Sequence, residues 1–394
     1  MFYLDSAATT AIDPEVLDAM IPYLTGWFGN AGSTHEMGRI AKKAIDEARV
    51  KVADLINAEP DQIIFTSGGS ESNNMIIKTG ILKQILEKPA IKFQAISNSE
   101  HDSILNALVD LKFLEDKVKR VEIPIHHIDE DDAGSINLSV LKTMISTGEI
   151  GFVSAMYINN ETGAENPIKE IGELCKNNDI LFHTDCVQAA STHKIDVKDF
   201  KCDFLSLSSH KIYGPKGVGA AFVKDKRLLS PIISGGASQE FGLRGGTENV
   251  AGIVGFGAAC DLVKRNLHDI DVQVSVLKQV FYNELKKWDT TGGKIMLNSN
   301  IFRHGKILNI RINGIESETL MLMLDAHGVC VSAGSACRSH EQKPSRTLLD
   351  MGLTEKEARS SIRISFSKDN TKEEVIGAAH IMIDCIKILE ELNN

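Results

Sequence analysis

The pattern of apolar and polar residues near the start of the chain predicts two helices joined by a loop. Asp13, Pro14 and Glu15 offer a capping side chain, a proline at the first helical position and an acid in the first turn, so a helix should begin at Pro14. Its apolar residues recur at helical spacing and are expected to form one buried stripe, made of Val16, Leu17, Met20, Ile21 and Leu24. The glycine-rich stretch GWFGNAGSTHEMG is typical of a connecting or functional loop, and a second helix should run from Ala41 to Ile56.

From there to about Val223, short apolar runs alternate with amphipathic stretches. The segments are IIFTS, SESNNMIIKTGILKQILE, FQAISNS, SILNALVDLKFLE, GFVSAMYI, IKEIGELCKNN, ILFHTD and CDFLSLSS. This alternation predicts an α/β fold in which helices wrap a largely parallel sheet. Ligands of such sheets bind beyond the carboxyl ends of the strands, where loops lead into helices.

The pattern changes after Gly257. A long helical stretch should run from Ala258 to Trp288, followed by shorter strands around residues 307–312 and 362–366 and a final helix from Lys372 to about Leu392. We therefore expect two domains. The larger α/β domain would span residues 14–257, and a smaller α+β domain would combine residues 1–13 with 258–394.

Composition narrows the class of protein. The chain has 394 residues, of which 43% are hydrophobic and 24% charged, as expected for a compactly folded protein. A net charge of -10 disfavours direct binding of nucleic acid, which needs clustered Lys and Arg to neutralise phosphates. No secretory signal pattern and no bilayer-spanning apolar run is present, so we expect a cytoplasmic protein without a membrane segment.

The seven cysteines are odd in number and form no CxxC pair, which disfavours a disulfide framework and a structural zinc site. Most of these thiols are expected to be small buried residues. The acidic run from Asp129 to Asp132, beside His126 and His127, resembles a metal cluster but is more typical of a solvated turn. We expect no metal site.

Lys211 and Asp185 are candidates for binding a cofactor that carries an aldehyde and a pyridine ring. Lys211 follows the apolar run CDFLSLSS, where a lysine can form a Schiff base with an aldehyde, although an ordinary surface lysine is the alternative. Asp185 ends the run ILFHTD and suits a carboxylate held against a pyridinium nitrogen, with a helix N-cap as the alternative. Gln188 is placed to hydrogen-bond the phenolic oxygen of such a cofactor, and Asn160 of NNETG to face the same pocket.

A phosphate site is predicted where TSGGSESNN follows a strand and opens a helix. Its small residues let backbone N–H groups and the Ser70 hydroxyl approach a phosphate at the positive end of the helix. Ser208 and His210, directly before Lys211, are placed to complete the phosphate cradle from the other side. Thr247 of RGGTEN is a candidate to add a hydroxyl from a neighbouring subunit.

Three further residues have side chains suited to acid–base, binding and nucleophilic roles. His101 of SEHDSIL follows a strand and is placed to stack on a cofactor ring and move protons, with a structural histidine as the alternative. Arg363 of SSIRISF suits a substrate carboxylate, with a routine salt bridge as the alternative. Cys337 lies among the small residues of VSAGSACRS, which suit an accessible loop thiol, with a buried packing role as the alternative.

Taken together, these motifs resemble those of the NifS/IscS-type cysteine desulfurases, within the class-V aminotransferase-like enzymes of PLP fold type I. The resemblance covers nearly the whole chain and runs in order through YLDSAATT, FGN, FTSGGSES, SEHDSIL, NNETG, HTDCVQ, SSHKIYGPKG, RGGTEN, SAGSAC and SSIRIS. It implies a seven-stranded sheet in the large domain, bound pyridoxal 5'-phosphate (PLP) and a homodimer. The chain departs from the family in its GNAGS loop, where a GNPSS-like loop is common.

The resemblance also implies a role for each candidate. Lys211 would form the Schiff base with the cofactor, His101 would stack on its ring and act in acid–base steps, and Cys337 would accept the sulfur. Asn160 and Arg363 would bind the substrate carboxylate. The residues implied to contact the cofactor are Gly69, Ser70, His101, Asn160, Asp185, Gln188, Ser208, His210, Lys211 and Thr247.

The implied reaction converts L-cysteine to L-alanine and places the sulfur on Cys337 as a persulfide. A sulfur-acceptor protein, serving iron–sulfur cluster assembly or a thiolation pathway, would then receive it. Two alternatives stay open. The first is another class-V PLP enzyme, such as a selenocysteine lyase or an aminotransferase, and the second is an interaction protein that keeps the fold without catalysis.

Overall fold

The structure is a computed structural model that describes residues 1–88, 93–111, 119–127, 133–334 and 343–393. Its strands are β1 (Phe2–Tyr3), β2 (Ile63–Thr66), β3 (Phe93–Ser97), β4 (Lys119–Ile123), β5 (Ile150–Ser154), β6 (Leu181–Asp185), β7 (Phe204–Ser208), β8 (Gly219–Val223), β9 (Ile295–Leu297), β10 (Ile307–Ile312), β11 (Val329–Cys330) and β12 (Ser361–Ser365). Its helices are α1 (Pro14–Thr25), α2 (Glu36–Leu55), α3 (Gly69–Met75), α4 (Ile81–Glu87), α5 (Asp102–Val109), α6 (Leu138–Ser146), α7 (Ile168–Asn177), α8 (Val197–Phe200), α9 (Val250–Trp288), α10 (Ser317–Ala326), α11 (Arg346–Asp350), α12 (Glu355–Arg359) and α13 (Lys372–Asn393).

Within the described residues, seven strands form the main sheet in the order β2-β8-β7-β6-β5-β3-β4. Strands from β7 to β4 run parallel, whereas β8 is antiparallel to both of its neighbours. Both faces are covered, because Ile63 and Phe65 pack into one apolar cluster and the intervening Ile64 into another. The predicted α/β fold with a mostly parallel sheet is confirmed.

The predicted start is correct for the first N-terminal helix and wrong for the second. Helix α1 begins at Pro14 as predicted, and the Asp13 side chain accepts from the Glu15 N–H. Helix α2 begins at Glu36 rather than Ala41, because His35 caps it by accepting from the Gly38 N–H.

The prediction that α1 presents one buried apolar stripe is wrong in part. Val16 and Met20 are buried, but Leu17, Ile21 and Leu24 are 44%, 46% and 60% exposed. The helix packs against α9 along one side, and that contact covers only the residues that face it.

A second, smaller region is built mainly from the C-terminal part of the chain. Strands β9, β10 and β12 form an antiparallel sheet, and β1 pairs in parallel with β11. The N-terminal segment therefore joins this region, and Asp5 forms a β-bridge with Ser365. Helix α9 begins at Val250 rather than Ala258, because Asn249 caps it, so the boundary predicted at residue 257 lies within a helix. The division into two domains stays a prediction.

The chain order places several loops at one edge of the main sheet. Asp185 is the last residue of β6, and Ser208 is the last residue of β7. Helix α3 starts just after β2, and it continues through the π turn Ile76–Gly80 into α4. No helix in the described ranges is long and apolar enough to cross a membrane.

A buried ion pair links α2 to the turn that precedes the RGGTEN motif. Arg49 donates to both carboxylate oxygens of Glu240 at 2.8 and 2.6 Å, and each residue is only 6% exposed. Glu240 also accepts from the Phe65 N–H of β2 at 2.7 Å. This carboxylate therefore connects a helix, the edge of the main sheet and a loop.

We expect Glu240→Ala to lower the free energy of unfolding by about 3–5 kcal/mol, because it leaves a charged guanidinium buried without its counterion. The control is Asp46→Ala, which removes the exposed pair of Lys42 and Asp46 and should cost less than about 1 kcal/mol. Urea denaturation of the variants at one protein concentration measures both values. Equal losses would contradict the importance of burial at Glu240.

Candidate active site

A cavity of about 180 Å³ lies at the edge of the sheet where the parallel strands end. Most of the residues predicted for the site line it, namely Gly69, Ser70, His101, Asn160, Asp185, Gln188, Ser208, His210, Lys211 and Arg363. Thr247 is exposed and is not part of this lining. Cys337 lies outside the described residues. The fold thus gathers side chains that are almost three hundred positions apart along the chain into one cavity.

Lys211 enters the cavity from a short turn after β7. The turn Ser209–Lys211 is a single 3₁₀ turn, so the lysine backbone sits directly at the end of a buried strand. Its Nζ donates to the carbonyl oxygens of Ala7 at 2.5 Å and Ala8 at 2.7 Å. The amine is therefore held by the N-terminal segment against the cavity wall, which is not the setting of an ordinary surface lysine.

The Asp185 carboxylate is held at both oxygens. Its Oδ1 accepts from the Val187 N–H at 2.9 Å, and its Oδ2 accepts from Asn73 Nδ2 at 2.8 Å. Asn73 also donates to Ser103 Oγ at 2.9 Å, so it ties α3 to both β6 and the start of α5. These contacts orient the carboxylate and leave it facing the cavity, as a partner for a cationic ring nitrogen requires.

His101 caps α5 and lines the cavity at the same time. Its Nδ1 accepts from the Ser103 N–H at 3.1 Å and is 2.7 Å from Ser103 Oγ. Because Nδ1 acts as an acceptor, the proton of the neutral ring is on Nε2. The structural role of a cap and a role in proton transfer are thus compatible in this histidine.

Arg363 is a buried cation with an incomplete set of partners. It is 2% exposed, and its Nη1 donates to the Asn160 carbonyl oxygen and its Nη2 to Asp5 Oδ1 at 2.9 and 2.8 Å. The Nε atom is buried and has no hydrogen-bond partner among the described residues. The salt bridge to Asp5 exists, and Arg363 also lines the cavity, so Asp5 and Asn160 hold the guanidinium at the cavity wall.

The predicted phosphate side of the cavity is shaped by glycines. Gly68 has φ +152°, and a Cβ on Gly69 would come within 2.8 Å of Val187 Cγ2, so side chains are excluded from this turn. His210 lies opposite, where a hydrogen bond joins its Nδ1 to Thr9 Oγ1 at 3.1 Å. Burial, followed by the nearby charge of Lys211, lowers the pKa of His210 to about 4, so its ring is neutral at neutral pH.

The donors around the cavity fit PLP. Gln188 donates through Nε2 to the Ala7 carbonyl oxygen at 2.8 Å, while its Oε1 is buried with no partner in the described part of the chain. Gln188 and Arg363 both line the cavity. The set of an amine, an oriented carboxylate, a ring-sized cavity and a glycine turn at a helix start matches the groups that this cofactor carries.

No group of His, Cys, Asp or Glu suited to a metal ion occurs in the described ranges, and Asp129 to Asp132 lie outside them. The described cysteines are unpaired.

Sequence reasoning missed four residues that position the predicted ones. Ala7 and Ala8 provide the carbonyls for Lys211, Asn73 holds Asp185, and Asp5 holds Arg363. The motifs YLDSAATT and FTSGGSESNN contain all four, so the signal was present. The motifs alone do not reveal what these residues do, because a backbone carbonyl or a side-chain amide that hydrogen-bonds another residue has no recognisable sequence pattern.

Glu100 is a buried acid beside these residues. Its Oε1 accepts from the Met156 N–H at 2.6 Å, and its Oε2 has no partner among the described residues. Burial, reinforced by the negative charge of Asp185, raises the pKa of Glu100 to about 8, while its hydrogen bond to Met156 and the charges of Arg346 and Arg120 lower it. Glu100 is therefore largely protonated at neutral pH.

Comparison with known proteins gives consistent matches over the full length. A sequence model of the family described as Aminotransferase class-V matches residues 2–376. The protein named Cysteine desulfurase IscS from Clostridium botulinum (strain Hall) is 40% identical over 395 residues, covering 99% of this chain and 96% of that protein.

Solved structures agree with the sequence matches. A structure described as a NifS-like protein matches with a TM-score of 0.87 at 29% identity and covers 99% of this chain and 100% of that one. The structure of SspA in complex with cysteine matches with a TM-score of 0.75 at 31% identity and covers 94% of this chain and 100% of that one.

We expect Glu100→Gln to gain stability relative to the wild type as the pH rises from about 5 to about 8. A folded-state pKa of about 8 lies above the ordinary value of the carboxyl group, so the wild type loses stability as the pH rises through this window. The glutamine keeps an oxygen for the Met156 N–H and has no proton to release. Urea denaturation at several pH values measures the difference, and a difference that does not change with pH would contradict the buried acid.

Proposed function

The chain belongs to the class-V aminotransferase family, and from this membership we propose that it is a PLP-dependent cysteine desulfurase. It converts L-cysteine to L-alanine and takes the sulfur onto Cys337. The carbon–sulfur bond of cysteine breaks and a sulfur–sulfur bond to the enzyme thiol forms. Of the two thiol protons, one ends on the methyl carbon of alanine and the other on the persulfide. The observation that carries this proposal is the cavity in which Lys211, Asp185, His101 and Arg363 meet.

The cofactor site follows from the lining of the cavity. When bound, PLP supplies an aldehyde that links to an amine and a ring that takes up electrons from the substrate carbon. Lys211 would provide the amine, Asp185 would partner the ring nitrogen, and His101, Asn160 and Gln188 would contact the ring and its substituents. The phosphate would be held by Gly69, Ser70, Ser208 and His210, together with Thr247 of a second subunit.

Proton transfer is assigned to Lys211 and His101. The Lys211 amine is positioned by the carbonyls of Ala7 and Ala8, and with PLP bound it would be the group that removes the proton from the α-carbon of the substrate. His101 offers a second exchangeable proton on Nε2 at the same cavity. Asn73 and the Val187 N–H hold both oxygens of Asp185 and so orient the carboxylate at the cavity, where it would partner a ring nitrogen.

The substrate is bound through its carboxylate. Arg363 has Nε without a partner among the described residues, and its other nitrogens are anchored on Asp5 and Asn160. A carboxylate bound beside this guanidinium would gain a charge-assisted hydrogen bond. This geometry supports an amino acid substrate, with Asn160 at the same end of the cavity.

The proposed partners are a second copy of this chain and a sulfur-acceptor protein. We propose a homodimer, which the exposed apolar residues Leu17, Ile21, Leu24, Trp27 and Phe28 on α1 and the following loop support. The persulfide of Cys337 passes to an acceptor protein for iron–sulfur cluster assembly or thiolation. The acidic chain favours a protein acceptor over direct contact with nucleic acid, and we place the enzyme in the cytoplasm.

Borohydride reduction after incubation with PLP should attach one pyridoxyl group to the peptide that contains Lys211, because reduction makes the link between an amine and the aldehyde permanent. Lys211→Ala should abolish this label. The matched control is Lys216→Ala, an exposed lysine of the same loop, which should label like the wild type. Peptide mass spectrometry locates the label, and a label at any other lysine would remove the assignment.

Cys337→Ala should keep the visible absorbance of the bound cofactor and its response to L-cysteine, but should produce neither alanine nor sulfide. The physical reason is that no thiol is present to attack the substrate sulfur. Cys330→Ala is the control, since Cys330 lies partly buried in β11 and should turn over normally. Chromatography of alanine and a colorimetric sulfide assay measure the outcome, and normal turnover by Cys337→Ala would overturn the role of this thiol.

A further inference from the structure

Lys306 is a buried lysine beside the cavity that the proposed reaction does not use. It directly precedes β10 and is 2% exposed. Its Nζ donates to Ser191 Oγ at 3.1 Å and to the backbone carbonyl of Lys211 at 3.2 Å. Through this one side chain the C-terminal sheet holds both the segment after β6 and the turn that carries the cofactor lysine.

The surroundings of Lys306 are cationic. Burial, followed by the charges of Lys211 and Arg363, lowers the pKa of Lys306 to about 7. Lys306 in turn contributes to the lowered pKa of His210. The charged and titratable groups that face it are thus Lys211 and His210 on the turn after β7 and Arg363 on β12.

A second buried lysine shows that burial alone does not produce this arrangement. Lys278 is also 2% exposed, and its Nζ donates to the Arg303 carbonyl at 2.7 Å, just before the segment that contains Lys306. Burial lowers the pKa of Lys278 to about 8, and the negative charge of Asp271 opposes that change. The two lysines pack on the same stretch of chain, but of the two it is Lys306 that hydrogen-bonds Lys211, the residue that would carry the cofactor.

We propose that Lys306 is a positioning residue for Lys211. The ammonium of Lys306 holds the Lys211 carbonyl, and its charge disfavours a second positive charge on the Lys211 nitrogen. This inference rests on the proposed function, because it gives Lys211 the role of binding PLP. An uncharged Lys211 nitrogen is the form that attacks an aldehyde or accepts a proton from the substrate. A neighbouring cation in a dry site favours that form.

The two amines titrate as a coupled pair. The charge of Lys211 is one cause of the low pKa of Lys306, so that contribution disappears once the Lys211 nitrogen is linked to the cofactor in uncharged form. Lys306 then keeps its proton to higher pH. In the loaded enzyme Lys306 is therefore the charged member of the pair.

The test is a pH titration of the visible absorbance of the PLP-loaded protein, which reports protonation of the nitrogen that links Lys211 to the cofactor. Lys306→Met and Lys306→Gln should move the midpoint to higher pH by about one unit, because both remove the neighbouring charge. Lys306→Arg keeps the charge and should titrate like the wild type. Lys278→Met, the matched control, removes a buried lysine from the same region and should leave the midpoint unchanged.

The outcomes separate this inference from the proposed function. Wild-type midpoints in both Lys306→Met and Lys306→Gln would overturn the inference while leaving the cofactor assignment intact. Failure of the wild type to take up PLP would instead overturn the proposed function. Near-ultraviolet circular dichroism identifies a variant that has lost its fold, and Lys306→Gln, which keeps a hydrogen-bond donor, then decides the question alone.

Discussion

The attachment of the N-terminal segment Asp5–Ala8 to the main sheet is the interaction on which the whole site depends. Its carbonyls at Ala7 and Ala8 accept from Lys211, and the Ala7 carbonyl also accepts from Gln188. Asp5 pairs with Arg363 at 2.8 Å. The segment is itself fixed by β1 on β11 and by the Ala7 N–H on Ser365 Oγ. One short stretch of chain therefore holds groups from both sheets in a single cavity.

This arrangement concentrates charge in a buried place, and the structure balances that charge locally. Asp5 compensates Arg363, and the Asp185 carboxylate is stabilised by neutral donors rather than by a cation. Glu100, with its raised pKa, adds little negative charge near Asp185 at neutral pH. His210, with its lowered pKa, adds no positive charge near Lys211. The net result is two carboxylates, Asp5 and Asp185, and a small set of cations around a cavity that suits an anionic cofactor and an amino acid.

The local sequence pattern predicted the helices and strands better than it predicted which of their side chains are buried. Periodicity and caps predicted α1, α13 and the alternation of strands and helices, because these signals act over a few residues. The same periodicity made Leu17 and Ile21 part of a buried stripe, although α1 buries only the side that meets α9. How much of an apolar face is covered depends on a helix that lies far away in sequence, and no local pattern contains that information.

By itself the sequence determined which residue types are available and in which order, and so it identified Lys211, Asp185, His101 and Arg363 as candidates through their motifs. It also determined that Lys211, Asp185 and His101 lie at or after the ends of strands, which places them at one edge of a parallel sheet. Arg363 instead lies within β12 of the smaller antiparallel sheet. Only the tertiary structure decided the contacts between them, such as Asn73 on Asp185, Asp5 on Arg363 and Lys306 on the Lys211 carbonyl. The reason is physical: a hydrogen bond and a shifted pKa depend on distances and burial that arise when segments remote in sequence pack together.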